Sequence, residues 1–253
     1  MLFVSPIVIY SWDLVQVALT AKGIVNEEGG TYYVSDMPGL LAAVNNRTKW
    51  TELGVSQLFG SVKVAFTDPR RSNSGAQYLY LSGTVLSGAD TLGLGELPAV
   101  TPPLRRMIDS LGLLQSSSGE LFNQYLKQGV GAFPLVAGYE NQIIEFAVAN
   151  PSFAAQISQK LRLLYPRPTV WSNHPMIALT PTGRRLIAAM KDPLIQAIAW
   201  SEHGLRTEKA AIDPAATPGI PGIPPALTSI VPNPTLDVVE RLLSEISPPT
   251  SKP

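Results

Sequence analysis

A cluster of guanidinium, hydroxyl and amide side chains lies between an apolar segment and a helical pattern, and its residue types suit anion binding. The cluster comprises Arg70, Arg71, Ser72, Asn73, Ser74 and Gly75. The first N–H groups of a helix have no partner within the helix, so a helix start is able to hold an anion. We expect Ser72 or Asn73 to cap the helix, and Gly75 to allow a close approach to its backbone. The alternative is a turn that only caps the helix.

A second polar group follows the apolar segment 133–138 and comprises Tyr139, Glu140 and Asn141. One interpretation aims the Tyr139 hydroxyl into a cleft, with Glu140 beside it. The other packs the Tyr139 ring in the core with its hydroxyl bonded, leaves Glu140 on the surface and makes Asn141 a helix cap. Local residue types favour the second interpretation.

The residues for catalysis or metal binding are sparse. The chain has no cysteine and only two histidines, His174 and His203, which have no metal-ligand spacing to a partner. We expect His174 to be a surface residue in a loop and His203 to interact with the last carbonyls of a helix. No Gly-x-Ser-x-Gly or Gly-Lys-Ser/Thr motif occurs. The sequence therefore predicts neither an enzyme nor a cofactor nor a metal site.

Composition narrows the classes of partner. The 253 residues are 45% hydrophobic, with 19 basic and 19 acidic side chains and no dense run of Lys and Arg, so we expect a folded protein that does not bind nucleic acid. The apolar N-terminus has neither the basic region nor the cleavage site of a signal peptide, and it is too short to span a bilayer. We expect it to be a buried strand of a chain that begins late.

Hydrophobic periodicity and turn residues predict alternating strands and helices. The predicted strands are 6–10, 31–34, 61–66, 133–140, 161–165 and 176–179. The predicted helices are 14–21, 36–44, 76–86, 104–111, 120–128, 141–146, 182–190, 192–200 and 235–243. Segment 87–103 is rich in Gly and Pro and is predicted to be a loop. From residue 212 a Pro-rich tail precedes the last helix.

Several segments occur in the order seen in bacterial extracellular solute-binding proteins of ABC transporters. They are 5–10, 49–54, 68–75, 139–142 and 166–168. Over residues 5 to about 203 the chain resembles the type II periplasmic-binding-protein class, and the Asp-Pro-x-x-Ser-x-Ser-Gly pattern is most similar to molybdate, sulfate and phosphate receptors. The first strands and first ligand loop of such proteins are not found in this sequence.

The resemblance implies an α/β fold of two lobes, with mixed sheets flanked by helices and the first lobe incomplete. Lobe one would comprise 1–10 and 134–203, lobe two 11–133, and the Pro-rich tail with its terminal helix 204–253. The implied protein is a monomer outside the cytoplasm, in the periplasm or on the cell surface, with no signal peptide in this chain.

The implied function is that of the receptor component of an ABC importer, which binds a small solute such as an oxyanion between its lobes. Its second partner would be the transporter permease. The expected ligand-binding residues are Arg71, Ser72, Asn73, Ser74, Gly75, Tyr139 and Glu140. A different class remains open: a degenerate solute-binding fold that acts as a sensing or protein-interaction module. An enzyme on the same fold is disfavoured because the histidines and carboxylates form no constellation.

Overall fold

A six-stranded mixed β-sheet flanked by helices forms the centre of the computed structural model, which describes residues 2–207, 212–216 and 220–247. The strands are β1 (Phe3–Trp12), β2 (Val25–Glu28), β3 (Thr31–Val34), β4 (Val136–Tyr139), β5 (Leu161–Pro166) and β6 (Trp171–His174). The first five follow the order β2-β3-β5-β1-β4, and β6 also pairs with β1. All pairs are antiparallel except β3 with β5.

The helices cover both faces of this sheet. They are α1 (Asp13–Ala21), α2 (Met37–Asn45), α3 (Asn73–Ser87), α4 (Leu97–Leu111), α5 (Ser118–Gln128), α6 (Glu140–Ala149), α7 (Ala154–Lys160), α8 (Pro181–Met190), α9 (Pro193–Ser201) and α10 (Leu236–Ile246). Short 3₁₀ turns lie at Trp50–Leu53, Pro151–Phe153 and Pro214–Ala216. The described residues contain no helix that is both long and apolar enough to cross a membrane.

Strand β1 holds the molecule together because it takes part in three pairings. Its first half pairs with β6 through Phe3 to Pro6, and its second half lies between β4 and β5. Ile7 and Ile9 belong to one hydrophobic cluster, whereas Val8 and Tyr10 belong to the cluster on the other face. Successive side chains of a strand point to opposite faces, so a strand covered on both sides appears in the sequence as one apolar run.

Helix α3 brings the polar cluster to this sheet. It packs against α2, α4 and β4, and it buries Tyr78, Leu79 and Leu81. The C-terminal helix α10 packs in turn on α4 through one apolar face, on which Val238, Leu242 and Ile246 are buried. The start of α3 therefore lies in a fixed position at the end of β4.

Most predicted elements are confirmed with shifted ends, and two predicted strands are wrong. Segment 61–66 makes only the single bridges of Ser61 with Lys49 and of Ala65 with Val136, although its alternate residues are buried as in a strand. Segment 176–179 has no strand, because pairing with β1 takes place earlier, at Trp171–His174, and Pro175 follows directly.

The predicted loop 87–103 and helix start at 76 are also corrected. Helix α4 begins at Leu97 and contains Pro102 and Pro103. Pro98 in its first turn costs no hydrogen bond, which is why a Pro-rich stretch is able to begin a helix. Helix α3 begins at Asn73, three residues before its predicted start.

Strands from both sides of the predicted lobe boundary share one sheet. Strand β5 was expected in lobe one and β3 in lobe two, yet the two strands pair with each other. The division into lobes stays a prediction. The expected terminal helix is present as α10, whereas 208–211, 217–219 and 248–253 of the tail lie outside the described residues.

Candidate functional site

Three polar side chains from separate elements meet at the start of α3. The amide nitrogen Nδ2 of Asn73 donates to the Tyr139 hydroxyl at 2.9 Å and to Oγ of Ser172 at 3.2 Å. Asn73 is the first residue of α3, Tyr139 the last of β4, and Ser172 lies on β6. Asn73 is exposed and Tyr139 half-buried, so this group of three, which we call the Asn73 site, is open to a ligand.

The start of α3 lacks the side-chain cap that the sequence predicts. Ser72 occupies the N-cap position, but its hydroxyl makes no bond to the helix backbone. It lies 3.1 Å from the Ser74 hydroxyl, which in turn lies 3.0 Å from the hydroxyl of Thr67. The first backbone bond of the helix is donated by Ala76 to Ser72. The N–H groups of residues 73–75 are therefore left for an acceptor from outside the helix.

Gly75 serves packing rather than ligand approach. A Cβ atom at this position would overlap the carbonyl group of Thr67, which is the last residue before the Asp68 turn. Gly75 and Ser74 are both buried. The close backbone approach predicted for this glycine is thus made by the protein's own chain.

The two arginines of the cluster differ in their pairing. The carboxylate of Asp68 accepts bonds from Nε of Arg70 at 2.9 Å and from its Nη2 at 2.7 Å. These bonds lower the pKa of Asp68 and neutralise the charge of Arg70. Arg71 is exposed and forms no ion pair with any carboxylate of the described chain. Arg71 is therefore the cation of this cluster that remains available to an anion.

Tyr139 provides a neutral hydroxyl at neutral pH. Burial raises its pKa, and this outweighs the opposite effect of the hydrogen bonds from Ser172 and Asn73. Its backbone carbonyl accepts a hydrogen bond from the Tyr10 hydroxyl, which ties the end of β4 to β1. A phenol that accepts from Asn73 keeps its own proton free to be donated to a ligand oxygen.

Glu140 lies behind the Asn73 site, where no ligand reaches it without displacing protein groups. It is fully buried, and its Oε1 accepts from Nη2 of Arg206 at 2.6 Å and from the Tyr165 hydroxyl at 2.7 Å. A surface position for Glu140 is therefore wrong. The expected cap at Asn141 is also wrong, because Tyr139 is the N-cap and Gln142 accepts from its backbone N–H.

Sequence reasoning missed the contribution of β6. Ser172 is buried next to Asn73, and the hydroxyl of the buried Ser5 lies 3.3 Å from Nε2 of His174. His174 is exposed as expected, but it lies on a strand rather than in a loop, and partial burial lowers its pKa. A four-residue strand with polar residues at three positions carries no strand signal, so only the pairing with β1 defines it.

The histidines and carboxylates of the described residues do not gather into a metal-binding cluster. No cluster of three His, Asp or Glu side chains suited to a metal ion occurs in the described ranges. Nδ1 of His203 lies 3.0 Å from the Glu145 carboxylate on α6. The histidine predicted to interact with helix carbonyls thus has a carboxylate partner.

Comparison with known proteins finds likeness at the level of structure. No protein-family model and no curated protein matches the chain. A solved structure described as an extracellular solute-binding protein from Bordetella parapertussis is similar over 97% of this chain and 65% of its own, with a TM-score of 0.55 and 12% identity. A probable secreted solute-binding lipoprotein from Streptomyces coelicolor aligns with a TM-score of 0.48 and 14% identity, over 98% of this chain and 66% of its own.

The chain thus spans about two thirds of the length of the solute-binding protein to which it is similar, 65% in the first comparison. Its mixed sheet is flanked on both faces by helices, and the similarity to that protein covers 97% of this chain. The chain therefore shares the α/β fold of that solute-binding protein.

Proposed function

We propose that this protein is a solute-binding receptor and that the Asn73 site holds the solute. The convergence of Asn73, Tyr139 and Ser172 is the observation that carries the proposal. Three elements deliver these side chains to one place, and one of them is a helix start whose N–H groups have no cap. The Asn73 amide already donates both of its protons to Tyr139 and Ser172, so the donors offered to a ligand are hydroxyl and backbone N–H groups, which suit a ligand that is rich in acceptor oxygens.

An oxyanion is the ligand class that we propose. The Ser72 hydroxyl and the N–H groups at the start of α3 supply neutral donors, and Arg71, which has no ion pair within the described residues, supplies positive charge. The buried Ser74 supports this arrangement through the 3.1 Å contact of its hydroxyl with that of Ser72. Glu140 supports the site without contacting the ligand, because its buried ion pair with Arg206 fixes the start of α6 directly after Tyr139. A carboxylate so placed stays out of contact with an anionic ligand, which its charge would repel.

The remaining parts of the proposal are supported only by the resemblance to solute-binding proteins. The solute would bind between two lobes and stabilise their closed arrangement, because it contacts both. We propose an extracytoplasmic location, the permease of an ABC importer as the second partner, and a monomeric state. The lobe boundaries near residues 10 and 133 belong to the same proposal.

A thermal-shift panel tests the receptor function. Molybdate, sulfate and phosphate, together with neutral sugars and amino acids, are each added to the protein. A ligand that binds only the native state stabilises it by about 2.7 kcal/mol at a hundredfold excess over Kd, and this raises the melting temperature. We expect one oxyanion to raise it, and the double variant Ser72→Ala/Ser74→Ala to reduce the shift. If no solute changes the melting temperature, the receptor proposal fails.

A further inference from the structure

We propose that a second small-molecule site, for an amphipathic anion with an aromatic body, lies at the opposite end of β4 from the Asn73 site. A cavity of about 460 Å³ opens there. Sites for small organic ligands commonly measure about 300–1,000 Å³. Strand β4 runs from Val136, which pairs with Tyr10, to Tyr139, which pairs with Ile7. The two sites therefore lie at opposite ends of this strand. Leu135, which lines the cavity, lies about 13 Å along the chain from Tyr139.

The cavity, which we call the Lys63 cavity, has an apolar floor. Trp50, Phe66, Leu121 and Leu135 all line it and are all buried. The walls come from the segments 59–66, 111–115 and 131–135 and from α5. Aromatic side chains offer flat faces to an aromatic ligand, with which offset stacking is favourable.

Two unusually exposed apolar side chains stand at its rim. Phe59 is 94% exposed and Leu113 is 93% exposed. They have the largest exposed fractions of all large apolar residues in the described chain, and both line this one cavity. Contiguous exposed apolar surface on a folded protein commonly marks a binding site. An apolar ligand body in the cavity would remove part of both side chains from water.

One positive charge defines the polar end of the ligand. Lys63 is the only charged residue of the described lining, and no carboxylate of the described chain pairs with it. Its ammonium group donates to the carbonyl of Ser110, near the end of α4, which holds it at the cavity wall. An ammonium group has three donors, so two remain for an anionic group of a ligand.

Neutral polar side chains complete the lining. Ser61, Gln115 and Gln124 provide hydroxyl and amide groups, and the only hydrogen bond between the two amides is long, at 3.5 Å. These groups are able to exchange this bond for one to a ligand oxygen. The predicted ligand therefore has an aromatic body, one carboxylate or sulfonate group and few other polar atoms.

A pair of fluorescent probes tests the Lys63 cavity. The anionic probe is 8-anilinonaphthalene-1-sulfonate and the neutral probe is N-phenyl-1-naphthylamine, which share the aromatic body. We expect saturable binding of the anion with one site per chain. Lys63→Gln should weaken the binding of the anionic probe about fivefold, which is the upper range for an exposed charge pair. The affinity for the neutral probe should not change. The matched control Lys22→Gln, an exposed lysine outside the cavity, should alter neither.

Two further variants test the apolar rim. Leu113→Ser should weaken the binding of both probes about fivefold, because an apolar contact of roughly 40 Å² contributes about 1 kcal/mol. Leu179→Ser is the control, since Leu179 is 89% exposed but lies outside the cavity. Both substitutions affect exposed side chains and should leave the melting temperature unchanged. The proposal is overturned if the anion does not bind, if Lys63→Gln weakens both probes equally, or if Leu179→Ser has the effect of Leu113→Ser.

Discussion

The side-chain amide of Asn73 donates a hydrogen bond to the hydroxyl of Tyr139, 66 residues further along the chain, at a distance of 2.9 Å. The bond joins the first residue of α3 to the last residue of β4. It joins the two polar groups that the family resemblance assigns to one ligand-binding site. The hydroxyl that accepts this bond still has its proton to donate, and this makes Tyr139 the most direct test of the Asn73 site.

Tyr139→Phe should weaken the binding of the oxyanion identified by thermal shift about tenfold or more, because a hydrogen bond to a charged group contributes about 1.5–3 kcal/mol. The ring stays in place, so the fold should be kept. Calorimetric titration measures the change. Tyr32→Phe on β3 is the matched control and should bind as the unmodified protein does. If Tyr139→Phe binds the oxyanion as tightly as the unmodified protein does, the Tyr139 hydroxyl does not contact the ligand.

The buried pair of Glu140 and Arg206 should be needed for stability. Their side chains are 0% and 3% exposed. Arg206→Met leaves a buried carboxylate without its cation and should lower the free energy of unfolding by about 3–5 kcal/mol, measured by urea denaturation. The double variant Glu140→Gln/Arg206→Met should lose less, because no unpaired charge remains.

A surface pair provides the control for this experiment. Lys160 and Asp13 lie 3.3 Å apart, with the lysine side chain 63% exposed. Lys160→Met should cost less than about 1 kcal/mol, as is usual for exposed ion pairs. A similar cost for both lysine and arginine variants would show that burial of the Glu140 pair has no special effect.

Gly75→Ala should destabilise the protein although alanine favours helices. The added methyl group overlaps the Thr67 carbonyl, and relief requires α3 to move from its neighbours. Overpacking of this kind costs about 1–3 kcal/mol. Gly95→Ala, where the methyl group has open space, should change the free energy of unfolding by less than about 0.5 kcal/mol. The melting temperatures of both variants test this prediction. A Gly75→Ala variant as stable as the unmodified protein would contradict the close packing of Gly75 against Thr67.

The pair of Asp68 and Arg70 should make stability depend on pH. Because Arg70 lowers the pKa of Asp68 below its ordinary value of 3.8, the native state favours the ionised carboxylate. The stabilisation is present above the ordinary pKa and is lost as the pH falls through the lowered one. The difference in melting temperature between the unmodified protein and Asp68→Asn should therefore be constant from pH 7 to about 5 and shrink below the ordinary pKa of a free carboxyl.

Asp90→Asn is the control for the pH experiment, since Asp90 is exposed and makes no ion pair in the described part of the chain. The melting temperature of Asp90→Asn should stay close to that of the unmodified protein at every pH. A difference for Asp68→Asn that does not shrink in acid would show that the carboxylate contributes through shape rather than charge.

Much of the fold is predictable because its elements follow from local patterns. The apolar run at the N-terminus indicates a strand buried on both faces, and β1 is such a strand. The Asp192-Pro193 pair marks the start of α9, where the Asp192 carboxylate accepts from the N–H of Leu194. Segment 61–66 shows the limit of this reasoning: its alternation reflects burial, but a strand also needs a partner along its length.

The sequence by itself determined which groups are available: the hydroxyls, amide and arginines around Asn73, the absence of cysteine, and the alternation of helices and strands. Only the tertiary structure decided their roles. It placed Ser172 beside Asn73, 99 residues away, buried Glu140 against Arg206, and paired Arg70 with Asp68 while leaving Arg71 free of ion pairs within the described chain. Side-chain pairing across such separations depends on sheet register and helix packing, and periodicity along the chain contains neither.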